Sequence, residues 1–599
     1  MLSRRAKEGG AATVDPPAGP AAAAGRTVHH SKSMPAHLAA VSASEWLDGE
    51  GGAPSGRRRG STLLKWACVL LALLVLLRHA LRPGAGGYTH TSFVTVEGSQ
   101  FWLDCRPFYL AGFNLETAAE AAAARNAFAA GRRAGGESTL RSLFGRAAAS
   151  GLNVVRTWAH TSDPAYPLQV SPGVYSEAAF QALDAAIAEA EAAGLRVILS
   201  LADNWKRSGG VDEYVDWSTT APPRDPKFPP INDTQGDVSV EDHSEERRRY
   251  EDRRKALFFT DREARRLYRD HVRAVLERRN TLTGRLYRDD PTILAFDLLN
   301  ELRCSSYETA ECTDLVSRWV QDMSQHFKSL DQRHLLTVGS EGFYGERDTM
   351  KEVNPGAPGS DWASKAGQDF IANHQLPTID FAAFHLWPDN WNTHNATFHR
   401  KWVEQHYEDC ATLLKKPCLL EEFGKRLGND DDLPSPTDIA LHRDNFFVDA
   451  YAAVEAGVEG RKGAGGSLYW RWGLNPHDPS HPGAYGVLPQ HSTFALISAH
   501  AQLLRTHMLV TAPHKKCPLV VDCWVPATSF GGLLRRCEDR PSVCADHRSL
   551  AKFELSTKSA GNVTTHTLRS HGPPVFATHA ACCLPGLGAF GRGCSTTWV

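Results

Sequence analysis

Eight short runs of apolar, β-branched and aromatic residues recur between residues 88 and 506. They are FYLAGFN (108–114), NVVRTWA (153–159), RVILSLA (196–202), TILAFDLLNE (292–301), LLTVGSEG (335–342), FAAFHLWP (381–388), PCLLEEFG (417–424) and GSLYWRWG (466–473). The runs are nearly continuous rather than alternating, which predicts strands buried on both faces, as in a parallel sheet. Helical patterns lie between them. AAFQALDAAIAEAEAAG precedes the third run. REARRLYRDHVRAVLERR precedes the fourth and places Ala264, Leu267, Tyr268, His271 and Val275 on one stripe. Eight strand–helix units predict an α/β chain folded as a (β/α)₈ TIM barrel over 88–506. The dense acidic and basic run at 241–255 has no apolar stripe and reads as a solvated loop.

Each run closes on polar or aromatic residues: Asn114; Arg156 and Trp158; Asn204 and Trp205; Asn300 and Glu301; Glu341; His385 and Trp387; Glu421 and Glu422; Trp470 and Trp472. The C-terminal strand ends of such a barrel carry the active site. The chain has no G-x-S-x-G elbow, no H-E-x-x-H and no Walker loop. Carboxylates on the fourth and seventh strands, ringed by Trp, His, Asn and Arg, suit glycoside hydrolysis. One carboxyl protonates the leaving oxygen and the other attacks or activates water. Indole rings offer flat platforms for sugar faces.

The flanks differ in texture. Residues 1–60 are rich in Ala, Gly, Pro and Ser and read as disordered. At 61–80 an unbroken apolar run, Trp66 to Leu77, follows Arg57-Arg58-Arg59 and Lys65, against Arg78 and Arg82 on its far side. Its 12 residues suit a signal h-region or a short signal-anchor, since a full span takes about 20. The charge bias puts everything after residue 80 in the lumen or outside, either extracellular or as a single-pass type II membrane protein. Sequons at Asn232, Asn395 and Asn562 agree with a secretory route. Seven of the 13 cysteines (Cys517, Cys523, Cys537, Cys544, Cys582, Cys583 and Cys594) crowd into 507–599, which reads as a disulfide-stapled extension. No C-x-x-C pair occurs, so no zinc site is expected, and GLGAFG at 586–591 lacks the strand–helix context of a nucleotide loop. With 66 basic against 68 acidic residues the net charge is -2, which gives no reason to expect nucleic acid as a partner.

The middle of the chain, from about Phe93 to residue 506, resembles the plant-type endo-β-1,4-mannanases of glycoside hydrolase family five. The likeness rests on FVTVEGSQFWLDCRPFYLAGFN, LADNWKRSGGVDEYVDW, the long block from FFTDREARR to FDLLNELRC, SLDQRHLLTVGSEGFYG, FIANHQLPTIDFAAFHLWPDNW and KPCLLEEFGK. It implies a retaining mechanism on β-mannan polysaccharide or oligosaccharide, with no metal and no cofactor, by a monomer. Glu301 in N-E-L-R resembles the general acid/base, and Glu422, immediately before Phe-Gly, the nucleophile. Asn300, Arg156, His385 and Trp470 match positions that hold the sugar; Trp158, Asn204, Glu341 and Trp387 complete the expected substrate set. Since adjacent strand residues face opposite ways, Glu421 is expected to point toward the outer helices. The chain departs from the family pattern at Leu302 (usually Pro), Trp387 (usually Tyr, whose hydroxyl contacts the nucleophile), Leu115-Glu116 (usually an aromatic pair) and an insertion at 218–256. A rival reading is a membrane-tethered glycan-binding protein without activity. Cys304 with Cys312, and Cys410 with Cys418, are the expected disulfides.

Overall fold

The eight apolar runs form the eight strands of one parallel sheet in the computed structural model. They are β1 (Leu110–Asn114), β2 (Val154–Trp158), β3 (Arg196–Ser200), β4 (Ile293–Asp297), β5 (Leu335–Thr337), β6 (Ala382–Leu386), β7 (Cys418–Phe423) and β8 (Ala464–Tyr469). The structure describes residues 90–511 except 117, 120–138, 161–165, 206–208, 231–243, 428–434 and 474–484, together with the backbone of four short strands between 525 and 570. The expected N-terminal region at 1–60, the hydrophobic segment at 61–80, the sequons at Asn232 and Asn562 and the seven C-terminal cysteines lie outside the described residues. Among the described residues no helix is long and apolar enough to cross a membrane.

The hydrogen-bonded order is β5-β4-β3-β2-β1-β8-β7-β6. The two ends meet through the Asp380 N–H on the Leu336 carbonyl (2.8 Å) and the His385 N–H on the Glu341 carbonyl (3.1 Å), so the sheet curls into the expected (β/α)₈ barrel. Inside the barrel Leu110, Val154, Ile198, Leu294, Ala295, Leu335, Phe381, Leu419 and Leu468 pack together. A three-stranded antiparallel meander (Thr95–Glu97, Gln100–Leu103, Arg106–Phe108) presses Phe101 and Phe108 against them at the strand N-termini. This apolar floor closes the barrel from below.

Helices cover the outside: α1 (Thr139–Ala149), α2 (Glu177–Ala193), α3 (Val211–Trp217), α4 (Glu245–Thr260), α5 (Arg262–Glu277), α6 (Cys312–Leu330), α7 (Ala396–Asp409), α8 (Asn445–Glu459) and α9 (Ser492–Val510). The stripe read from the sequence of α5 is buried at all five positions. Asp261 starts that helix by accepting the Glu263 and Ala264 N–H groups at 3.0 and 2.9 Å, which satisfies two otherwise unpaired donors.

The charged run is not a solvated loop. From Glu245 onward it is α4, capped by Ser244. The charges recur at helical spacing and pair along it, Arg249 with Glu245 at 2.6 Å and Arg248 with Asp252 at 2.9 Å. Arg254 docks the helix on Asp216 (2.7 Å) and on the Pro222 carbonyl (2.8 Å). An arginine can bury its stem while its guanidinium stays paired, and beyond the charged run Ala256, Phe258 and Phe259 of the same helix join the apolar core.

Both expected disulfides are present, Cys304–Cys312 and Cys410–Cys418, with Cα–Cα distances of 5.4 and 5.9 Å. Each closes a short loop, worth roughly 2–3 kcal/mol through the unfolded state. Cys304 follows Arg303 at the rim of the site, and its loop carries Glu308, which pairs with Arg253 of α4 at 2.8 Å. Cys304→Ser/Cys312→Ser should therefore lower Tm by roughly 3 °C. Differential scanning calorimetry checks this; an unchanged Tm would show that the bridge constrains nothing.

Candidate active site

Above the apolar floor the inward positions turn polar. Asn114 (β1), Arg156 (β2), Asp297 (β4), His385 (β6), and Glu421 and Glu422 (β7) converge there, all buried. Arg156 organises the layer. Its Nε donates to Asp297 at 2.6 Å, its Nη1 to Asn114 at 3.1 Å and to Glu422, and its Nη2 to Asn300 at 2.9 Å. The planar fork thus fixes four groups from β1, the β4 segment and β7. Asn300 is held in turn by donating to Asp203 at 3.0 Å.

Glu301 sits beyond the end of β4 with a left-handed backbone, φ 49°. That conformation is costly for a glutamate and is found where a side chain must be aimed. Its N–H donates to the Gly339 carbonyl at 2.7 Å. Gly339 has φ +79°, and a Cβ there would stand 2.6 Å from the Leu299 carbonyl oxygen, so the β4 and β5 ends approach closely only because it is glycine. The Glu301 carboxylate accepts from the Trp205 indole N–H and lies 2.7 Å from His385 Nδ1. His385 Nδ1 is also 3.5 Å from a Glu422 oxygen. One polar atom from each of Glu301, His385 and Glu422 lies within 4.8 Å of the other two.

Electrostatics link these groups. Burial pushes the Glu422 carboxyl up to about 8, aided by Glu301 and Glu421 and opposed by His385 and Arg156. Burial also works against the Glu301 anion, but His385, through a hydrogen bond and its charge, outweighs it together with Arg303 and Trp205, and holds Glu301 below the usual carboxylate range. Burial opposes the His385 cation, yet Glu422, Glu301 and Glu421 raise it to about 10. Two carboxyls this close do not both ionise easily, so the pair shares one proton near neutrality.

The remaining expected residues fall into two groups. Trp158, Trp387 and Trp470 form an aromatic wall: the Trp158 and Trp470 rings are 6.2 Å apart, those of Trp387 and Trp470 5.7 Å, and the Arg156 guanidinium lies 4.7 Å over Trp158. Trp387 also meets the edge of Tyr485 at 5.2 Å, and a side chain at Gly424 would meet its ring at 3.3 Å. Glu341 and Asn204 stand behind the front line. Glu341 is gripped by Arg303 at 2.6 and 2.5 Å and by Gln368 at 2.9 Å. Asn204 joins its backbone N–H to the Asn300 carbonyl at 3.1 Å, and its side chain is buried. Glu116, at a departure from the family pattern, is buried and pairs with Arg471 at 3.1 Å.

The sequence reading passed over Asp297 and Arg303 and left Trp205 out of its substrate set. Asp297 had a usable signal, a lone charge inside an otherwise apolar strand. Trp205 is 42% exposed and is flanked by two cations, Arg303 at 4.9 Å and Lys255 of α4 at 5.1 Å from its ring. The Lys255 ammonium donates to the Asn204 carbonyl at 2.8 Å, so the inserted helix reaches the rim of the site.

The expected outward course of Glu421 is wrong. In the β6–β7 ladder Phe384 opposes Leu420, and His385 opposes Glu422, which leaves Glu421 as an extra residue in a bulge. Strand alternation fails across a bulge. Leu419 faces inward, Glu421 follows two residues later, and the bulge turns Glu422 inward as well. Glu421 lies 3.7 Å from both Arg156 Nη2 and His385 Nε2.

The model of the family described as GH family 5 beta-mannosidase-like matches residues 91–507. Mannan endo-1,4-beta-mannosidase 1 of Oryza sativa subsp. japonica is 33% identical over 456 residues, 74% of this chain and 92% of the rice protein. Mannan endo-1,4-beta-mannosidase 7 of Arabidopsis thaliana is 35% identical over 420 residues, 69% of this chain and 85% of that protein. The crystal structure of the endo-1,4-beta-mannanase from Rhizomucor miehei shares the fold, with a TM-score of 0.51 at 24% identity over 69% of this chain and 100% of that one. On the length of the family match and the identity to the plant proteins, this chain belongs to the β-mannosidase-like branch of glycoside hydrolase family 5.

Proposed function

We propose that the protein is a retaining endo-acting glycoside hydrolase that cleaves β-1,4-mannosidic linkages in mannan, glucomannan or galactomannan. The observation that carries this is the spacing of the two carboxylates. One oxygen each of Glu301 and Glu422 lies within 4.8 Å of the other, at the ends of the fourth and seventh strands. Retaining enzymes hold their carboxyls about 5–5.5 Å apart, whereas inverting ones leave about 6.5–9.5 Å for a water. The plant relatives' names support mannan as the glycan.

In the first step the Glu422 carboxylate attacks the anomeric carbon, the glycosidic C–O bond breaks, and Glu301 gives its proton to the departing oxygen. In the second step Glu301 takes a proton from water, which displaces Glu422 and restores the β-anomer. The single shared proton therefore has to sit on Glu301 when substrate is bound. A sugar covering Glu301 strips it of water and favours its neutral form, while the Arg156 hydrogen bond stabilises the anion on Glu422. Asn300, anchored by Arg156 and Asp203, stands where it can hold the sugar 2-hydroxyl, and Trp158, Trp387 and Trp470 offer sugar-stacking faces.

A route through the secretory pathway fits the two disulfides and the sequon at Asn395, which is exposed at the start of α7. Its side-chain oxygen accepts the Thr397 N–H at 2.8 Å, and its amide nitrogen is the atom a glycan joins. On this reading the segment at 61–80 directs the chain to that route, as a cleaved signal or as a type II anchor.

The test is hydrolysis by the purified full-length protein of galactomannan, glucomannan and cellulose, with the first-formed anomer read by NMR. Mannan cleavage with β-product is expected, and activity should fall as pH rises through about 8, where the Glu422–Glu301 pair loses its shared proton. An α-product, or cellulose cleaved in preference to mannan, would overturn the reading.

A further inference from the structure

Glu421 occupies a place that the two-carboxylate mechanism does not use. It is fully buried, and among the described residues neither of its oxygens has a hydrogen-bond donor in bonding geometry. A buried carboxylate without such partners is expensive to keep, and the bulge in β7 places it on the same side as Glu422. Two cations of the site, Arg156 Nη2 and His385 Nε2, both lie 3.7 Å from it, and Asp297 stands beside it. Among the described residues His385 Nε2 has no hydrogen-bond partner either, while the opposite ring nitrogen, Nδ1, reaches Glu301 at 2.7 Å and Glu422 at 3.5 Å. The imidazole thus stands between a carboxylate below and the reacting pair above.

We propose that Glu421 is a positioning residue that keeps His385 doubly protonated from below, so that the ring presents its Nδ1–H to Glu301 and Glu422 and sets where their shared proton rests. This rests on the reading of Glu301 and Glu422 as the reacting pair. A neutral imidazole has only one N–H, and its tautomer is free to change. A carboxylate at the Nε2 side fixes a proton there and leaves the second for Nδ1. The effect on the pair is electrostatic: one buried negative charge raises the proton affinity of everything near it.

The charges facing this pair of groups are few and identifiable. His385 is faced by Glu421 and Glu422 from β7, Glu301 and Asp297 from the β4 segment and Glu341 beyond β5. Glu421 is faced by Arg156 from β2, Asp297, His385 and, more distantly, His374. Burial opposes the Glu421 anion, but Arg156 and His385 overcome this and hold the carboxyl below its usual range. Asp297 beside it is pushed up by burial and by Glu421, to about 7. Of the two lower carboxyls, Glu421 therefore carries the charge.

The experiment is the pH profile of kcat/KM on mannan for the wild-type protein, Glu421→Gln and Glu421→Asp. Loss of the negative charge should move the alkaline limb of Glu421→Gln about one pH unit lower, with kcat reduced about tenfold and KM within about twofold. Glu421→Asp keeps the charge at a greater distance and should restore most of the limb. A merely structural role would lower the yield of folded protein and leave the limb of the folded fraction in place. A folded Glu421→Gln variant with a wild-type limb, or a folded Glu421→Asp variant whose limb stays with that of Glu421→Gln, overturns the proposal. Should neither variant fold, the wild-type protein decides: in ¹⁵N-histidine NMR, the resonances absent from His385→Asn must report an imidazolium at pH 8, and a neutral ring there overturns it. Failure of the underlying reading looks different, because Glu422→Gly would then remain active.

Discussion

Glu422→Gly should lower turnover on mannan on the order of 10⁴-fold or more, and azide should restore part of it. The glutamate supplies the atom that bonds to the anomeric carbon, so no neighbour substitutes for it. Arg156, which donates to Glu422, remains in place and helps a small anion occupy the vacated space. The product of rescue carries the assignment. In Glu422→Gly, azide enters from the nucleophile's side and gives the α-mannosyl azide from an aryl β-mannooligoside. In Glu301→Ala the nucleophile is intact, the aryl leaving group departs without acid assistance, and the glycosyl-enzyme accumulates because no base activates water. Azide then attacks that intermediate from the opposite face and gives the β-mannosyl azide. Exchanged outcomes would exchange the two roles, and undiminished turnover in Glu422→Gly would end the mechanism.

The barrel was legible because parallel strands buried on both faces must be apolar almost throughout, and each such run ends abruptly where the cleft begins. That boundary alone marks Arg156, Asn300, Glu301, His385, Glu421 and Glu422, which the fold gathers around one point, and the family resemblance singles out Glu422 of the last two. Two features resisted reading for definite physical reasons. The alternation rule assumes a regular ladder. Nothing in PCLLEEFG announces the bulge that brings Glu421 and Glu422 to the same side, because a bulge is set by its partner strand. The charged run at 241–255 lacked an apolar stripe, yet its Arg and Glu spacing is helical, and its packing surface is made of arginine stems paired to Asp216 and Glu251. Here the charge spacing, rather than hydrophobicity, was the signal for the helix.

Arg156→Met should cost both stability and rate, and the stability cost should depend on pH. The guanidinium is wholly buried and serves Asp297, Glu422 and, at 3.7 Å, Glu421. Removing it leaves these carboxyls, along with Glu301, facing His385 as the nearest remaining cation. Breaking one side of a buried ion pair costs about 3–5 kcal/mol, which for a barrel of this size lowers Tm by roughly 5 °C. The carboxyls relieve part of the strain by keeping protons. Burial already holds Glu422 near 8 and Asp297 near 7 with Arg156 opposing it, and without the arginine both rise further above their unfolded values. Groups whose folded pKa is raised destabilise increasingly as pH climbs past the unfolded pKa, near 4. The gap in Tm between Arg156→Met and wild type should therefore be smaller at pH 5 than at pH 8. Rate suffers by the same route, since a protonated Glu422 cannot attack, and kcat/KM at pH 7 should fall on the order of 10³-fold. Arg156→Lys restores the charge but not the fork to Asp297, Asn114, Asn300 and Glu422, so it should regain more stability than activity. Thermal unfolding of the three proteins at both pH values, read beside their kinetics, tests this account. A Tm gap independent of pH would mean that Arg156 stabilises the barrel by packing rather than by holding its carboxylates charged.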